Sequence, residues 1–234
     1  MTTLVLLPGM DGTGALFAPL LQALSPEIQP VVITYPSNER LGYAELVELV
    51  EKQLPTATDY VLLGESFSGP IATLLAGRNP PGLRALILAC SFVRTPRPVL
   101  APFRPLTRLL PNPALALGPL SFALMGKHAT PPLRRALAEA ISSVDPGVMR
   151  HRAAAALSAD ASNSLATVRC PVLYLQANED RVIPIRCAAE VQRLCPQTHI
   201  ASLPGPHFLL QTQAAAAAER IEAFIAGALN ADRQ

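Results

Sequence analysis

The sequence predicts an α/β protein: a three-layer αβα sandwich with a six-stranded, mostly parallel sheet and an inserted, mainly helical cap. Short apolar runs rich in β-branched residues alternate with amphipathic helical patterns along the 234 residues. Four of the six runs are continuously apolar, which is typical of strands covered by helices on both faces. The alternation is interrupted once, by residues 92–166, which are too many for an ordinary crossover.

The elements follow one another in a regular order. The predicted strands are residues 4–7, 31–34, 60–63, 85–89, 172–176 and 198–203. The predicted helices of the sheet layers are residues 15–24, 41–54, 67–78, 186–194 and 211–229. Ser37 or Asn38 is available as the N-cap of the second helix. Strand–helix alternation of this kind produces parallel strands joined by right-handed crossovers.

The interruption divides the chain into two predicted parts. Residues 1–91 and 167–234 form the core, and residues 92–166 form an inserted cap with two helical patterns, 133–141 and 148–157. Nine of the 24 prolines lie between Pro96 and Pro132. The insertion has nine basic and three acidic residues, a net charge of +6, whereas the rest of the chain carries −4. The overall net charge of +2 therefore averages a basic cap and an acidic core.

Composition excludes several classes of protein. Half of the residues are apolar, 15% are charged and the mean hydropathy is +0.31, which excludes a disordered chain, a collagen-like chain and a coiled coil. The small net charge does not indicate a nucleic-acid partner. Residues 109–126 carry no charge, but they contain three prolines, so we expect no stable membrane insertion.

The cysteines and the N-terminal residues bear on the compartment. The first residues run directly into an apolar strand, without the basic region and small-residue cleavage site of a secretory signal. The four cysteines contain no Cys-x-x-Cys pair, so we expect free thiols and no metal site. These features predict a cytoplasmic protein.

A nucleophile motif follows the third predicted strand. The segment Gly64-Glu65-Ser66-Phe67-Ser68-Gly69 joins an apolar strand to a helix, which is the context that a nucleophile elbow requires. The turn is tight, so small residues are required two positions before and two positions after Ser66, where the chain has Gly64 and Ser68. The N-terminus of the following helix favours developing negative charge. Ser68 stands where the usual motif has glycine. The alternative is an ordinary strand–helix turn.

A base and an acid are available at the same edge of the predicted sheet. His207 lies in a Pro/Gly-rich loop after the last strand, and Asp180 follows the fifth strand, with Glu179 as the alternative. The carboxyl ends of parallel strands meet at one edge. The combination of Ser66, Asp180 and His207 therefore predicts a Ser-His-Asp triad.

The loop after the first strand is rich in glycine. Its spacing of Gly9, Gly12 and Gly14 does not match the dinucleotide fingerprint, and no acidic residue ends the second strand. We therefore expect no nucleotide cofactor, and no cofactor of another kind. The better interpretation is an oxyanion hole formed by the backbone N–H groups of Met10 and Phe67.

These motifs resemble the α/β-hydrolase fold superfamily, in a serine esterase- or lipase-like form. The resemblance rests on Leu-Pro-Gly-Met, Gly-Glu-Ser-Phe-Ser-Gly, Asn-Glu-Asp-Arg-Val-Ile-Pro and Gly-Pro-His in that order, and it extends from Leu4 to the last helix. The family usually has His-Gly where this chain has Pro8-Gly9, and a glycine where it has Ala177. The family's two N-terminal strands are missing, so the chain is a minimal form.

The resemblance implies roles for the candidate residues. Ser66 would be the nucleophile, His207 the base and Asp180 the acid. The Met10 and Phe67 amides would form the oxyanion hole, and residues 92–166 would cover the site.

The predicted function is hydrolysis of carboxylic esters of small or medium acyl groups through an acyl-enzyme intermediate. The alternatives are a thioesterase or acyltransferase acting on CoA- or carrier-bound acyl groups, and a non-catalytic ligand-binding member of the fold, which the complete residue set disfavours. The candidate substrate-binding residues are Leu120, Phe122, Met125 and Phe208. The alternative interpretation is that these four side chains do not bind substrate and only pack the cap onto the core.

The arginines of the cap have several interpretations. They would suit an anionic acyl group, a phosphate-bearing carrier or an anionic lipid surface, or they form a solvated basic face. The expected partner is a small ester or thioester, and the sequence leaves a homo-oligomer open.

Overall fold

The computed structural model describes residues 1–231, and its centre is one six-stranded sheet. The strands are β1 (Thr2–Leu7), β2 (Ile28–Val32), β3 (Tyr60–Glu65), β4 (Leu83–Ala89), β5 (Val172–Ala177) and β6 (Thr198–Leu203). Their order is β2-β1-β3-β4-β5-β6 and all five pairings are parallel. The strand order reverses between β1 and β3, and such a point opens a crevice at the carboxyl ends of the strands.

Helices cover both faces of this sheet. The α-helices are α1 (Ala18–Ala23), α2 (Tyr43–Glu51), α3 (Gly69–Gly77), α4 (Leu117–Met125), α5 (Pro131–Ser142), α6 (Pro146–Ala156), α7 (Ser162–Leu165), α8 (Arg186–Leu194), α9 (Leu209–Thr212) and α10 (Ala214–Ala231). The 3₁₀ helices of the described residues are Ala15–Phe17, Ser66–Ser68, Pro98–Leu109, Pro113–Ala116 and Gly126–His128.

The alternation of side chains along the strands produces the three predicted layers. In β1, Val5 and Leu7 belong to a buried cluster with α2, α3 and α8. Leu4 and Leu6 belong to a second cluster on the other face, with α1 and α10. Successive side chains of a strand point to opposite faces, so every strand contributes to both clusters. The predicted αβα sandwich is confirmed.

Two local predictions are wrong. The second strand spans 28–32 rather than 31–34, because its exposed Gln29 and Pro30 interrupt the apolar run by which a strand is predicted. Ser37 and Asn38 do not cap the second helix, which begins at Tyr43. The side chain of Glu45 reaches back and accepts a hydrogen bond from the Gly42 N–H at 3.0 Å.

Residues 92–166 leave and rejoin the sheet domain at one place. The Thr95 N–H donates to the Ala159 carbonyl at 2.9 Å, and the Ala161 N–H donates to the Val93 carbonyl at 2.7 Å. Between these points lie the 3₁₀ helix Pro98–Leu109 and helices α4 to α6. We call residues 92–166 the insertion. Its exact limits and its role as a cap stay predictions.

In the part of the chain that is described, no single helix is both long and apolar enough to cross a membrane. One pair of segments, Pro98–Leu109 and Pro113–His128, passes that test jointly, but the two are bent by 114° relative to each other.

Candidate active site

Ser66 lies in a strained turn between β3 and α3. Its φ of 49° is in the left-handed region, which non-glycine residues seldom adopt. A Cβ on Gly64 would lie only 2.7 Å from the Ser68 carbonyl oxygen, and a Cβ on Gly69 would collide with Ser91 Oγ. Only glycine fits at these two positions. The geometry is that of a nucleophile elbow.

Ser68 explains the departure from the usual motif. This side chain is fully buried, and its hydroxyl donates to the Pro8 carbonyl. The Tyr35 hydroxyl lies 2.6 Å from Ser68 Oγ and can donate to it. A hydroxyl at this position therefore links the turn around Ser66 to the loop after β1.

The structure brings the three predicted catalytic side chains together. Ser66 Oγ lies 2.9 Å from His207 Nε2, and His207 Nδ1 lies 2.8 Å from Asp180 Oδ2. The side chains of His207 and Asp180 are each only 5% exposed. An Nδ1–H that donates to the carboxylate leaves Nε2 unprotonated and able to accept the serine proton.

The position of Asp180 follows from its own hydrogen bonds. Its Oδ1 accepts the backbone N–H groups of Val182 and Ile183, both at 2.8 Å. These bonds orient Oδ2 toward His207. Glu179, the alternative acid, instead faces Lys127 Nζ at 3.1 Å. That ion pair joins the loop after β5 to the insertion, and within the described residues Glu179 forms no ion pair with His207.

The glycine-rich loop after β1 lies beside Ser66. Met10 and Gly9 line the same cavity as Ser66 and His207. The Phe67 ring packs away from this cavity and stacks on Tyr43, with the ring centroids 4.9 Å apart. Its amide begins the helix after the turn. The donors proposed for the oxyanion hole thus come from two adjacent segments, while their role stays a prediction.

A narrow apolar cavity of about 190 Å³ opens above Ser66. Leu120 and Phe208, two of the predicted substrate-binding residues, line it. The other two do not: Phe122 is 63% exposed and lies under the Arg181 guanidinium, and Met125 is fully buried in a cluster beside the cavity. The pattern of α4 explains this difference, because successive positions of a helix face different sides. The further lining residues from the insertion are Leu124, Leu137, Ile141 and Met149.

Comparison with known proteins decides the family. A family model described as "Alpha/beta hydrolase family" matches residues 4–220. The chain belongs to the alpha/beta hydrolase family. The crystal structure of the enol-lactonase from Burkholderia xenovorans LB400 superposes on this alpha/beta hydrolase with a TM-score of 0.82. That match covers 96% of this chain and 91% of the lactonase at 16% identity, which is a likeness of fold.

Two curated relatives resemble this alpha/beta hydrolase in sequence. Putative carbamate hydrolase RutD of Caulobacter sp. (strain K31) is 26% identical, over 97% of this chain and 89% of the relative. Phytyl ester synthase 1 (chloroplastic) of Arabidopsis thaliana is 35% identical over 120 residues, which is 47% of this chain. The chain spans only 16% of the length of the phytyl ester synthase.

Sequence patterns gave no sign of Arg152, which ties this alpha/beta hydrolase's insertion to the loop after β1. The side chain is fully buried, although it belongs to α6. Its Nη1 donates to the carbonyls of Met10 at 3.0 Å and Asp11 at 2.8 Å, and its Nη2 donates to the Pro36 carbonyl at 2.8 Å. A Cβ on Gly12 would lie 2.6 Å from Nη1, so glycine makes room for the guanidinium.

A second residue that no sequence pattern singled out is Glu65, next to the nucleophile. Its carboxyl is buried and lines the cavity, and Gln211 Nε2 donates to its Oε1 at 2.9 Å. Burial raises the pKa of Glu65 to about 7, and the Asp11 carboxylate acts in the same direction. The Gln211 hydrogen bond and the nearby His207 partly offset this shift.

We expect Glu65→Gln to change how stability depends on pH. Between pH 4.5 and about 7 the folded protein keeps a proton on Glu65 that the unfolded chain releases, so this group lowers stability as pH rises through that window. Over the whole window this group lowers the free energy of unfolding by about 3 kcal/mol. The Glu65→Gln variant has no such pH-dependent loss of stability. The free energy of unfolding of the variant minus that of wild type should therefore be about 3 kcal/mol larger at pH 8 than at pH 5.

Urea denaturation of both proteins between pH 5 and 8 measures this difference. Glu219→Gln is a suitable control, because that side chain is exposed on α10. A difference between Glu65→Gln and wild type that stays constant over this range would contradict the prediction.

Proposed function

We propose that this alpha/beta hydrolase is a serine hydrolase that cleaves carboxylic ester bonds of small or medium acyl substrates. The observation that carries the proposal is the continuous hydrogen-bonded chain from Ser66 Oγ through His207 to Asp180. It lies at the carboxyl edge of the sheet and opens into an apolar cavity. Nucleophile, base and orienting acid at these distances are the arrangement that acyl transfer requires.

The proposed reaction has two halves. Ser66 Oγ attacks the ester carbonyl while His207 Nε2 takes its proton, and the Met10 and Phe67 N–H groups stabilise the oxyanion. The tetrahedral intermediate collapses, and the alcohol leaves with the proton from His207. His207 then takes a proton from a water molecule, which attacks the acyl-enzyme. When this second tetrahedral intermediate collapses, His207 returns the proton to Ser66 Oγ and the carboxylic acid leaves. Asp180 stabilises the imidazolium that forms in each half.

The cavity supports the limit on acyl size. Its volume of about 190 Å³ and its lining of leucine, isoleucine and methionine side chains suit a short or medium aliphatic chain. We also propose that its walls from the insertion, Leu120 and Leu124 among them, act as a cap that encloses the acyl chain.

One alternative has an observation of its own in its favour. The local similarity to a phytyl ester synthase favours an acyltransferase, in which an alcohol rather than water attacks the acyl-enzyme, with the acyl group delivered from CoA or a carrier. The same triad chemistry serves both reactions. A cytoplasmic location fits either proposal, since all four cysteines are free thiols.

A fluorophosphonate probe tests the proposal directly. We expect stoichiometric labelling of the wild-type protein at Ser66, identified by peptide mass spectrometry, and none of Ser66→Ala. Heat-denatured wild type is the control for chemistry that does not need the fold. A folded protein that resists the probe, or one labelled equally after Ser66→Ala, would contradict a serine hydrolase.

A panel of p-nitrophenyl esters and acyl-CoA thioesters of equal chain length separates the two functions. We expect kcat/KM for the esters to exceed that for the thioesters and to fall for acyl chains longer than the cavity. A preference for thioesters of about 100-fold or more, or faster turnover on adding an acceptor alcohol, would favour the acyltransferase.

A further inference from the structure

Most of the exposed large apolar side chains belong to one segment of the chain. Ten are exposed among the described residues, and eight of these lie between positions 99 and 122. They are Val99, Leu100, Phe103, Leu106, Leu109, Leu110, Leu115 and Phe122. Single exposed apolar residues are normal, but this concentration in one segment of the chain indicates a surface that binds something.

The 3₁₀ helix Pro98–Leu109 aligns part of this group. Such a helix has three residues per turn, so side chains three positions apart stand above one another. Leu100, Phe103, Leu106 and Leu109 have this spacing, and their exposed fractions lie between 44% and 79%. We call these four residues the apolar ridge. They form a row along the helix that no other described element covers.

Arginines lie beside the apolar ridge. Arg40, Arg104, Arg108 and Arg150 line an open cavity of about 700 Å³ between this helix and α6, together with His151. None of the four guanidinium groups forms a salt bridge with a carboxylate of residues 1–231. The neighbouring carboxylate, that of Asp145, instead caps α6 by accepting the N–H groups of Gly147 and Val148. The residues that line the cavity therefore carry a net positive charge.

We propose that the apolar ridge and these arginines dock the protein onto an anionic phospholipid surface. The four ridge side chains enter the boundary between headgroups and acyl chains, and the arginines bind lipid phosphates. A row of apolar side chains flanked by basic ones is the arrangement that holds amphipathic segments in the plane of a membrane interface. Arginine presents several donors to a phosphate, while its aliphatic part remains in contact with apolar neighbours.

Charge favours a lipid surface over a second copy of the chain. No aspartate or glutamate occurs from position 92 to 138, whereas seven arginines and lysines do. A twofold dimer through the apolar ridge would bring identical basic surfaces together, which is unfavourable. An anionic surface instead complements both the apolar and the basic part.

The location links docking to the cavity above Ser66. Helix α4 carries Phe122 on its exposed side, while Leu120 and Leu124 of the same helix line the cavity. A lipid surface that also reaches Phe122 would lie one helix away from the candidate active site. This consequence rests on the proposed hydrolase function, whereas docking itself does not.

Vesicle flotation tests the docking. The probes are vesicles of phosphatidylcholine alone and of phosphatidylcholine with about 30% phosphatidylglycerol, at low and at high salt. We expect wild-type protein to float with the anionic vesicles only, and less so at high salt because the attraction is screened. Phe103→Ser/Leu106→Ser and Arg104→Gln/Arg108→Gln should each weaken binding by about tenfold or more.

Arg169→Gln/Arg193→Gln is the matched control. It removes the same charge from the opposite edge of the sheet, where these residues precede β5 and β6, and should bind like wild type. Turnover of a soluble p-nitrophenyl ester, measured in parallel, separates a failure of docking from a failure of the hydrolase proposal. The docking proposal is overturned if wild-type protein does not float with anionic vesicles, or if Arg169→Gln/Arg193→Gln loses as much binding as Arg104→Gln/Arg108→Gln. It is also overturned if the only effect of Phe103→Ser/Leu106→Ser is to convert a dimer to a monomer.

Discussion

Ser66→Ala is expected to lower kcat for a short p-nitrophenyl ester by a factor on the order of 10⁵ to 10⁶. The alanine cannot form the acyl-enzyme, and the remaining groups can only bind the substrate and polarise its carbonyl. Within the described residues, the Ser66 hydroxyl is bonded only to His207. The thermal midpoint should therefore stay within a few degrees of wild type, so the loss is chemical. Turnover within tenfold of wild type would show that Ser66 is not the nucleophile.

The neighbouring carboxylates provide a matched pair for the same assay. Asp180→Asn should lower kcat by about 10⁴-fold, because the amide no longer stabilises the imidazolium. Glu179→Gln should retain activity within a few-fold, since that side chain points to Lys127 and is partly exposed. A larger loss from Glu179→Gln than from Asp180→Asn would make Glu179 the acid and contradict the geometry.

Arg152→Met is expected to destabilise the fold and to slow the reaction. Methionine has a similar length but no donor, so the buried carbonyl of Asp11 and the partly buried carbonyls of Met10 and Pro36 lose their partner. Unsatisfied buried acceptors of this kind cost about 3 kcal/mol in total. The loop that carries Met10 also loses its support, and a small displacement of an oxyanion donor lowers kcat by roughly 10- to 100-fold.

Urea denaturation and steady-state kinetics on the same preparations test both parts of this prediction. Arg135→Met is the control, because that side chain is 79% exposed on α5 and should change the free energy of unfolding by less than about 0.5 kcal/mol. An Arg152→Met protein with normal kcat would limit Arg152 to packing. An Arg152→Met protein with the same free energy of unfolding as wild type would show that the hydrogen bonds of Arg152 do not stabilise the fold.

The strands were predictable because a strand that is buried on both faces has a continuous run of apolar residues in the sequence. β6 and α8 have the predicted bounds, and β1 and β3 to β5 differ from prediction by one or two residues at an end. The exception is β2, whose exposed Gln29 and Pro30 break the apolar run at the edge of the sheet. The other edge strand, β6, has the predicted bounds, so the interrupted apolar run rather than the edge position explains the failure at β2.

The candidate site was predictable for a related reason. Parallel strands bring their carboxyl ends to one edge, so chain order alone predicts that residues as far apart as Ser66, Asp180 and His207 meet. The choice between Asp180 and Glu179 could not be made in this way, because both follow the same strand. It depends on the two amides that bind Asp180 Oδ1 and on the Lys127 side chain opposite Glu179.

The sequence by itself determined the fold class, the order of the layers and the three residues at the carboxyl edge, because each depends on local pattern and chain order. Only the tertiary structure decided that Arg152 is buried while Arg150 lines an open cavity, and that Leu120 faces Ser66 while Phe122 faces outward. These pairs stand two residues apart on one helix and are alike in type. The neighbours that each side chain meets distinguish them, and those neighbours come from distant parts of the chain.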